Sequence, residues 1–366
     1  MPTANTTEIK EEKHIPEFTS SVALVFMMIC LIIYIFHVGS SILIPFVVAV
    51  FVWYLINAVA RWLNKISILG YKIPRYFCFL IAILSLAAIL WGLTELVTQN
   101  ISLILQAAPV YQENFEKITP KLVKLLHLEH APTVNDIVEY IDIKMAMKTV
   151  ARILTGLAGK TLIVILYVGF MLYEQRFFNK KIIGMIKDKR AENRVRQALA
   201  NIDAKMQRYM GVKSFVASID TCVTFFLLTY FEVDFAGFLA VFAFFLHFIP
   251  YAGSVLAIGI PSTIALIHTG DISLTIKVML SLSVLGSFLG HFLEPYLMGD
   301  KLNLSPIFII ASLTMWSMVW GIPGMFLAVP ILAMVMITLS QFPFTRPFAI
   351  MISKTGTLRF EEDDND

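Results

Sequence analysis

The sequence predicts an all-α polytopic membrane protein, and three observations carry that prediction. Of 366 residues, 58% are hydrophobic and only 15% are charged, against about 25% charge in an ordinary soluble domain. Mean hydropathy is +0.76. The apolar residues stand in long runs, not at helical or strand period through mixed sequence, which is the pattern of bilayer-crossing helices. Charge is distributed unevenly within a net +3: Ser214–Thr345 holds two basic residues, Lys277 and Lys301, whereas Glu174–Lys213 holds eleven. That balance gives no nucleic-acid-binding surface. Cys30, Cys78 and Cys222 lie far apart in apolar runs, with no CxxC pair or metal-ligand spacing, and are expected as buried thiols.

Taken in order, the apolar runs are Val22–Phe36, Ser40–Ala58, Tyr76–Leu96, Thr155–Tyr173, Ser214–Phe231, Phe235–Ile249, Ser254–Ile267, Leu274–Leu293, Ile307–Trp320 and Pro323–Leu339. No small-residue cleavage site comes after the first run, so it is expected to remain as a membrane element. A full helical span needs about 20 residues, and several runs fall short of that. The short ones come in pairs, broken at His37-Val38-Gly39, at Pro250-Tyr251-Ala252-Gly253 and at Gly321-Ile322-Pro323-Gly324. Gly and Pro breaks survive at membrane depth only where the freed backbone faces protein or water. The last two pairs therefore read as helical hairpins, crossing or re-entrant, within about eight transmembrane segments.

Lys and Arg set the expected orientation. The stretch 59–75 carries Arg61, Lys65, Lys72 and Arg75 without an acid, and 174–213 carries the eleven basic residues. Both should be cytoplasmic, and so should both termini, in a multi-pass protein. The chain then divides into a cytoplasmic tail (1–20), first membrane segments (21–96), an extracytoplasmic amphipathic helical insert (97–152), a membrane helix (153–173), a basic cytoplasmic helical loop (174–213), a C-terminal membrane core with two hairpins (214–342) and an acidic cytoplasmic tail (343–366). Thr133-Val134-Asn135-Asp136 starts an amphipathic helix with Ile137, Ile141 and Met145 at spacing four. Val195, Leu199, Ile202, Met206 and Tyr209 form a second stripe opposite Arg196, Lys205 and Arg208. That stripe could lie on the bilayer surface, on the chain's own bundle or on a neighbouring subunit.

No G-x-S-x-G, P-loop, H-E-x-x-H or dinucleotide fingerprint occurs, so no catalytic residues, metal ligands or cofactor are assigned and ATP-driven transport is not expected. What remains is a set of ionisable groups at membrane depth. Each costs roughly 2.5 to 3.5 kcal/mol on insertion scales and is a functional candidate for that reason. Asp220 lies inside the run Ser214–Phe231, with Ser214, Ser218, Thr221 and Thr224 near it in sequence. It is either a proton, cation or solute site or a helix-packing hydrogen bond. His247 precedes the break at Pro250 and either relays a proton or bonds carbonyls that the proline frees. His291 and Glu294, three apart, should share a helix face that Pro295 ends. There Glu294 is a gate, a cation ligand or an ion-pair partner of Lys277 or Lys301. Pro250 and Gly253 in one hairpin, and Gly321, Pro323 and Gly324 in the other, suggest two discontinuous helices of similar design around a midplane site.

These segments also resemble a known family. Tyr209-Met210-Gly211-Val212-Lys213-Ser214, Ala243 to Ser254 (AFFLHFIPYAGS), Leu293-Glu294-Pro295-Tyr296-Leu297-Met298-Gly299, Leu302-Asn303-Leu304-Ser305-Pro306 and Trp320 to Pro330 (WGIPGMFLAVP) are similar, in order and spacing, to the autoinducer-2 exporter family of bacterial inner-membrane proteins. Within it they look like the branch of the quorum-signal transport protein. The resemblance covers most of the C-terminal half, and in the N-terminal half it extends only to the layout of the runs. His247 stands where that pattern has Asn, and Asp220 where it has a small or neutral residue.

The resemblance implies a homo-oligomeric transporter, a pentamer in one form, that exports autoinducer-2 or a related signal. It also implies an alternative, Na+(Li+)/H+ antiport, since some members resemble such exchangers. Independently of the resemblance, the candidate transport-pathway residues are Asp220, His247, Pro250, Gly253, His291, Glu294, Pro295, Gly299, Gly321, Pro323 and Gly324. A membrane scaffold without flux is the alternative of another class.

Overall fold

The computed structural model describes residues 15–65, 143–298 apart from Lys187, 303–358, and parts of 67–95. The helix expected from Thr133, the acidic tail from Glu361 and the candidate Gly299 lie outside the described residues. Two helices open the chain, α1 (Ile15–Val38) and α2 (Ser40–Lys65), followed by a two-residue antiparallel pair of β1 (Ser67–Ile68) and β2 (Tyr71–Lys72). Residues 77–85 are helical. Two 42-residue helices come next, α3 (Ile143–Gly184) and α4 (Lys189–Tyr230). After them stand α5 (Ala236–Leu246), α6 (Ala252–Thr269), α7 (Ile272–Phe288), a π-helical turn (Leu289–Leu293) and α8 (Glu294–Met298). The chain ends in α9 (Pro306–Trp320), α10 (Ile322–Ser340) and α11 (Arg346–Ile352).

Among the described residues six helices are long and apolar enough to cross a bilayer: Ser40–Arg61, Thr161–Phe178, Ala191–Tyr230, Ala252–Thr269, Ile272–Met298 and Ile322–Ser340. The 11-residue α5 and the 15-residue α9 are the shorter apolar helices. At 1.5 Å per residue they rise about 16 and 22 Å, less than the ~30 Å hydrocarbon layer. The protein is an all-α membrane protein in which two hairpins, α5–α6 and α9–α10, each have a short first arm. By contrast α3 and α4 rise about 63 Å each, so both run well beyond the bilayer. The apolar run and the amphipathic stripe expected as separate pieces are one helix, α4. The later part of its stripe packs on the chain's own bundle: Met206 and Tyr209 are buried in one cluster with Phe51 and Tyr54 of α2 and Met336 of α10, and Ile202 packs against it.

Local chemistry explains the reversals. Between α4 and α5, Glu232 (φ 54°) and Phe235 (φ 58°) take left-handed backbone, and Val233 N–H donates to Leu228 O at 2.9 Å. Gly270 (φ 67°) closes α6, and Asp271 starts α7 by accepting from Ser273 N–H at 2.8 Å, an ordinary glycine stop and aspartate cap. Both hairpins turn on a glycine in contact with carbonyl oxygen. A Cβ at Gly253 would sit 1.9 Å from Leu246 O, and one at Gly324 would sit 1.9 Å from Trp316 O. The hairpins meet through Phe248 and Phe326, whose ring centroids are 4.6 Å apart, with Phe51 of α2 edge-on to both. Trp320 Nε1 donates to Phe36 O at 2.9 Å and ties the second hairpin to α1.

The cysteines differ from expectation. Cys78 is buried, but Cys30 and Cys222 are exposed, because the outward face of a membrane helix is apolar and places such residues toward lipid as readily as toward the core. The glycine contacts make a prediction. Gly253→Ala and Gly324→Ala should each lower stability by about 1–3 kcal/mol, whereas Gly259→Ala, inside α6 with nothing within 4 Å, should be neutral or stabilising. Thermal unfolding in detergent distinguishes the two classes, and equal behaviour of all three variants would refute the close-approach argument.

Candidate functional site

Four ionisable side chains from three elements meet inside the bundle. Asp220 and Lys213 project from α4, His247 caps α5 at the tip of the first hairpin, and Glu294 opens α8 just after the π-turn. Their meeting is a consequence of chain lengths. Asp220 lies ten residues before the end of α4 at Tyr230, and His247 comes after the eleven residues of α5. Two helices that pack back on each other over equal rises bring those positions level. Glu294 arrives from the far end of α7, where the π-turn holds about one residue more than a regular turn and re-aims α8.

The contacts form a chain. Lys213 Nζ donates to both carboxylate oxygens of Glu294, at 2.8 and 3.0 Å. His247 Nε2 stands 3.4 Å from Glu294 Oε2, and His247 Nδ1 stands 3.4 Å from Asp220 Oδ2. Thr224 Oγ1 donates to Asp220 Oδ1 at 3.5 Å. The side chains of Lys213, Glu294, His247 and Asp220 are 11 to 18% exposed. His247 Nε2 is within ion-pair distance of Glu294 but makes no bond of hydrogen-bonding geometry. Ser214 Oγ, next to Lys213 in sequence, is likewise buried without a hydrogen-bond partner among the described residues. Such open polar atoms mark a place where a polar solute or a relayed proton would find partners.

The charges decide what the cluster can do. Lys213 and Glu294 neutralise each other, and a protonated His247 does the same for Asp220. A neutral His247 leaves one uncompensated negative charge among groups shielded from water. Burial makes that state costly unless a proton or another cation arrives. Chemically, such an arrangement can respond to protons and change its affinity for a positive charge.

The structure brings Asp220, His247 and Glu294 together and turns His291 away from them. His291 is exposed, and its Nδ1 lies 3.2 Å from Ser287 O, because the π-turn breaks the three-residue spacing that would have put it on the face of Glu294. Pro295 does not end the helix: α8 runs on to Met298, since the wide turn before it removes the clash that a proline makes in a regular helix. Glu294 pairs with Lys213 and not with Lys277, while Lys301 lies outside the described residues. Ser218 and Thr221 donate to carbonyls of their own helix, at 2.8 Å each, and leave Asp220 to Thr224 and His247. Pro250 lies at the hairpin tip beside Tyr251, which takes φ 59°. Gly253 and Gly324 hold the two hairpin turns, Gly321 (φ 66°) separates α9 from α10, and Pro323 stands in the first turn of α10. Lys213 is the residue that sequence reasoning does not single out. Its one signal is its place as the last base of the basic run, directly before the apolar half of α4.

A bundle of apolar helices with two interrupted hairpins and a buried ionic cluster is the architecture of a membrane transport protein. The chain belongs to the AI-2E family of transporters, whose sequence pattern matches residues 22–344. It is 26% identical over 329 residues to the AI-2 transport protein TqsA of Escherichia coli, covering 86% of this chain and 90% of that one. It is 24% identical over 323 residues to a provisionally named transport protein of Haemophilus influenzae, with 86% and 90% covered. A similarly named protein of Borreliella burgdorferi is 22% identical over 324 residues, with 88% of each chain covered.

The cluster makes its own prediction. Lys213→Met leaves Glu294 as a buried unpaired charge and should cost about 3–5 kcal/mol, and Glu294→Gln added to it should recover most of that loss. Unfolding of the single and double variants in detergent measures the coupling, and additive losses would show that the pair is not energetically linked.

Proposed function

We propose that the protein is a secondary transporter that exports a small polar solute, autoinducer-2 or a related quorum-sensing signal, using proton exchange at the buried cluster. The observation that carries this is the contact of His247 with two carboxylates, 3.4 Å from each, where the first hairpin meets α4 and α8. Substrate class is supported by the similarity to a protein named for AI-2 transport, and by the buried polar atoms Ser214 Oγ and His247 Nε2 that lack a hydrogen-bond partner among the described residues. A polyhydroxylated ring needs such polar partners. The basic stretches at 59–75 and 174–213 support a place in the bacterial inner membrane with both termini cytoplasmic. Exposed apolar side chains such as Phe226, Val284 and Met318 suit lipid or further copies of the chain, in a homo-oligomer such as a pentamer.

A second reading, Na+(Li+)/H+ antiport, has one specific observation in its favour. Glu294 is committed through both oxygens to Lys213, whereas among the described residues Asp220 has a 3.5 Å hydroxyl and the imidazole as partners. A carboxylate so lightly held can exchange the imidazolium for a metal ion. A scaffold would need neither arrangement.

Purified protein in liposomes with an imposed pH gradient separates the three. Efflux of autoinducer-2 that tracks the gradient, reduced at least about tenfold in Asp220→Asn and in His247→Asn, is the expected result; tenfold corresponds to about 1.4 kcal/mol. Collapse of the gradient on adding sodium or lithium, lost in Asp220→Asn, would replace solute export with antiport. No flux of either kind from folded protein would leave the scaffold.

A further inference from the structure

The short helix α8 carries Glu294 at its start and continues α7 through the π-turn Leu289–Leu293, where Glu294 N–H donates to Leu289 O across the wider turn. Pro295 supplies no N–H to that turn, so one bond of the helix is missing there. Contacts from α4 add to what holds Glu294. One is Lys213 itself. Another is Arg208, five residues earlier on α4, whose Nη2 donates to Leu297 O at 3.0 Å.

Leu297 O belongs to the last described turn of α8, and a cation is favoured near the carbonyls at a helix C-terminus. Arg208 thus caps α8 from α4. The two contacts are rungs of an antiparallel ladder: Arg208, earlier on α4, reaches the later Leu297, and Lys213, later on α4, reaches the earlier Glu294. The two rungs tie α8 to α4 at both its ends. The Lys213 rung alone constrains direction less, because an ammonium on a four-carbon stem can follow a carboxylate through a range of positions.

We propose that Arg208 is a positioning residue for the buried cluster: by clamping the last turn of α8 to α4 it fixes the distance from Glu294 to His247. This rests on the cluster being the proton-responsive site. Charged and titratable groups facing that site are Lys213, Asp220 and the buried Tyr209 from α4, with Glu294 from α8. Arg208 itself is exposed, and its contact with the cluster's surroundings is the Leu297 carbonyl, so its influence on the imidazole is transmitted through α8.

The test reads the protonation of His247 directly, by 15N chemical-shift titration of the whole protein in nanodiscs, with no substrate present. Glu294→Gln displaces the midpoint and sets the scale. Arg208→Gln is expected to move it in the same direction by about half as much, and Arg208→Lys, which can still cap the carbonyl, by less than about a quarter. Should Arg208→Gln fail to fold, Arg208→Met keeps the apolar stem packing and takes its place. A wild-type midpoint in Arg208→Gln, beside a displaced one in Glu294→Gln, overturns the proposal. So does a midpoint unmoved in Glu294→Gln, since Glu294 would then not act on His247. A chain that moved no solute would still report this midpoint, so failure of the transport reading and failure of the positioning role are told apart.

Discussion

The bond between Lys213 and Glu294 is the constraint on which the interior depends. Two charges taken out of water cost several kcal/mol each unless they meet in good geometry, and here both carboxylate oxygens lie within 3.0 Å of one ammonium. Satisfying that requirement dictates much of the surrounding architecture. It requires α4 to continue as one helix from its basic half into its apolar half, so that the last base of the cytoplasmic-type sequence is carried inside. It also requires α7 to deliver an acid from its far end, which a regular helix through Pro295 would not do. The π-turn is the local distortion that makes the delivery compatible with the proline.

Around this fixed pair the glycine and proline breaks of the sequence are held by close contacts. Gly253 and Gly324 allow the second arm of each hairpin to touch carbonyl oxygens of the first, and the hairpins are joined by Phe248, Phe326 and Phe51. Since Phe248 is the residue directly after His247, the aromatic junction and the ionic cluster share one stretch of backbone. A displacement of the second hairpin would reach His247 through Phe326 and Phe248 as a change in packing, before any polar group of that hairpin came near. The ionic cluster and the second hairpin are thus connected by packing, without the second hairpin supplying a charge.

How much of this is legible in the sequence depends on the range of the interaction. Apolar runs, hairpin breaks and the membrane class are local properties, and the two hairpins and the all-α membrane class are found as the sequence predicts them. Asp220, His247 and Glu294 stand out because an ionisable residue in an apolar run is conspicuous anywhere. Lys213 does not, because eleven bases in one stretch look like a solvated loop, and only the continuity of α4 places the last of them inside. His291 belongs on the face of Glu294 by a spacing that holds for 3.6 residues per turn. The π-turn changes that number, and no short motif announces it. Dividing α4 into two pieces fails for a related reason: a change from amphipathic to apolar composition marks where a helix enters the membrane, not where it ends.

The contact between Asp220 and His247 gives the last step. These two residues touch, at 3.4 Å. Either alone would be an unmatched ionisable group in the interior, whereas together they compensate whenever the imidazole carries its proton. The neutral state of the pair then requires a proton, and losing that proton creates a demand for positive charge. The two contacts differ in kind: the Lys213–Glu294 bond joins two full charges in good geometry, whereas the contact of Asp220 with His247 is an ion pair only when the imidazole holds a proton.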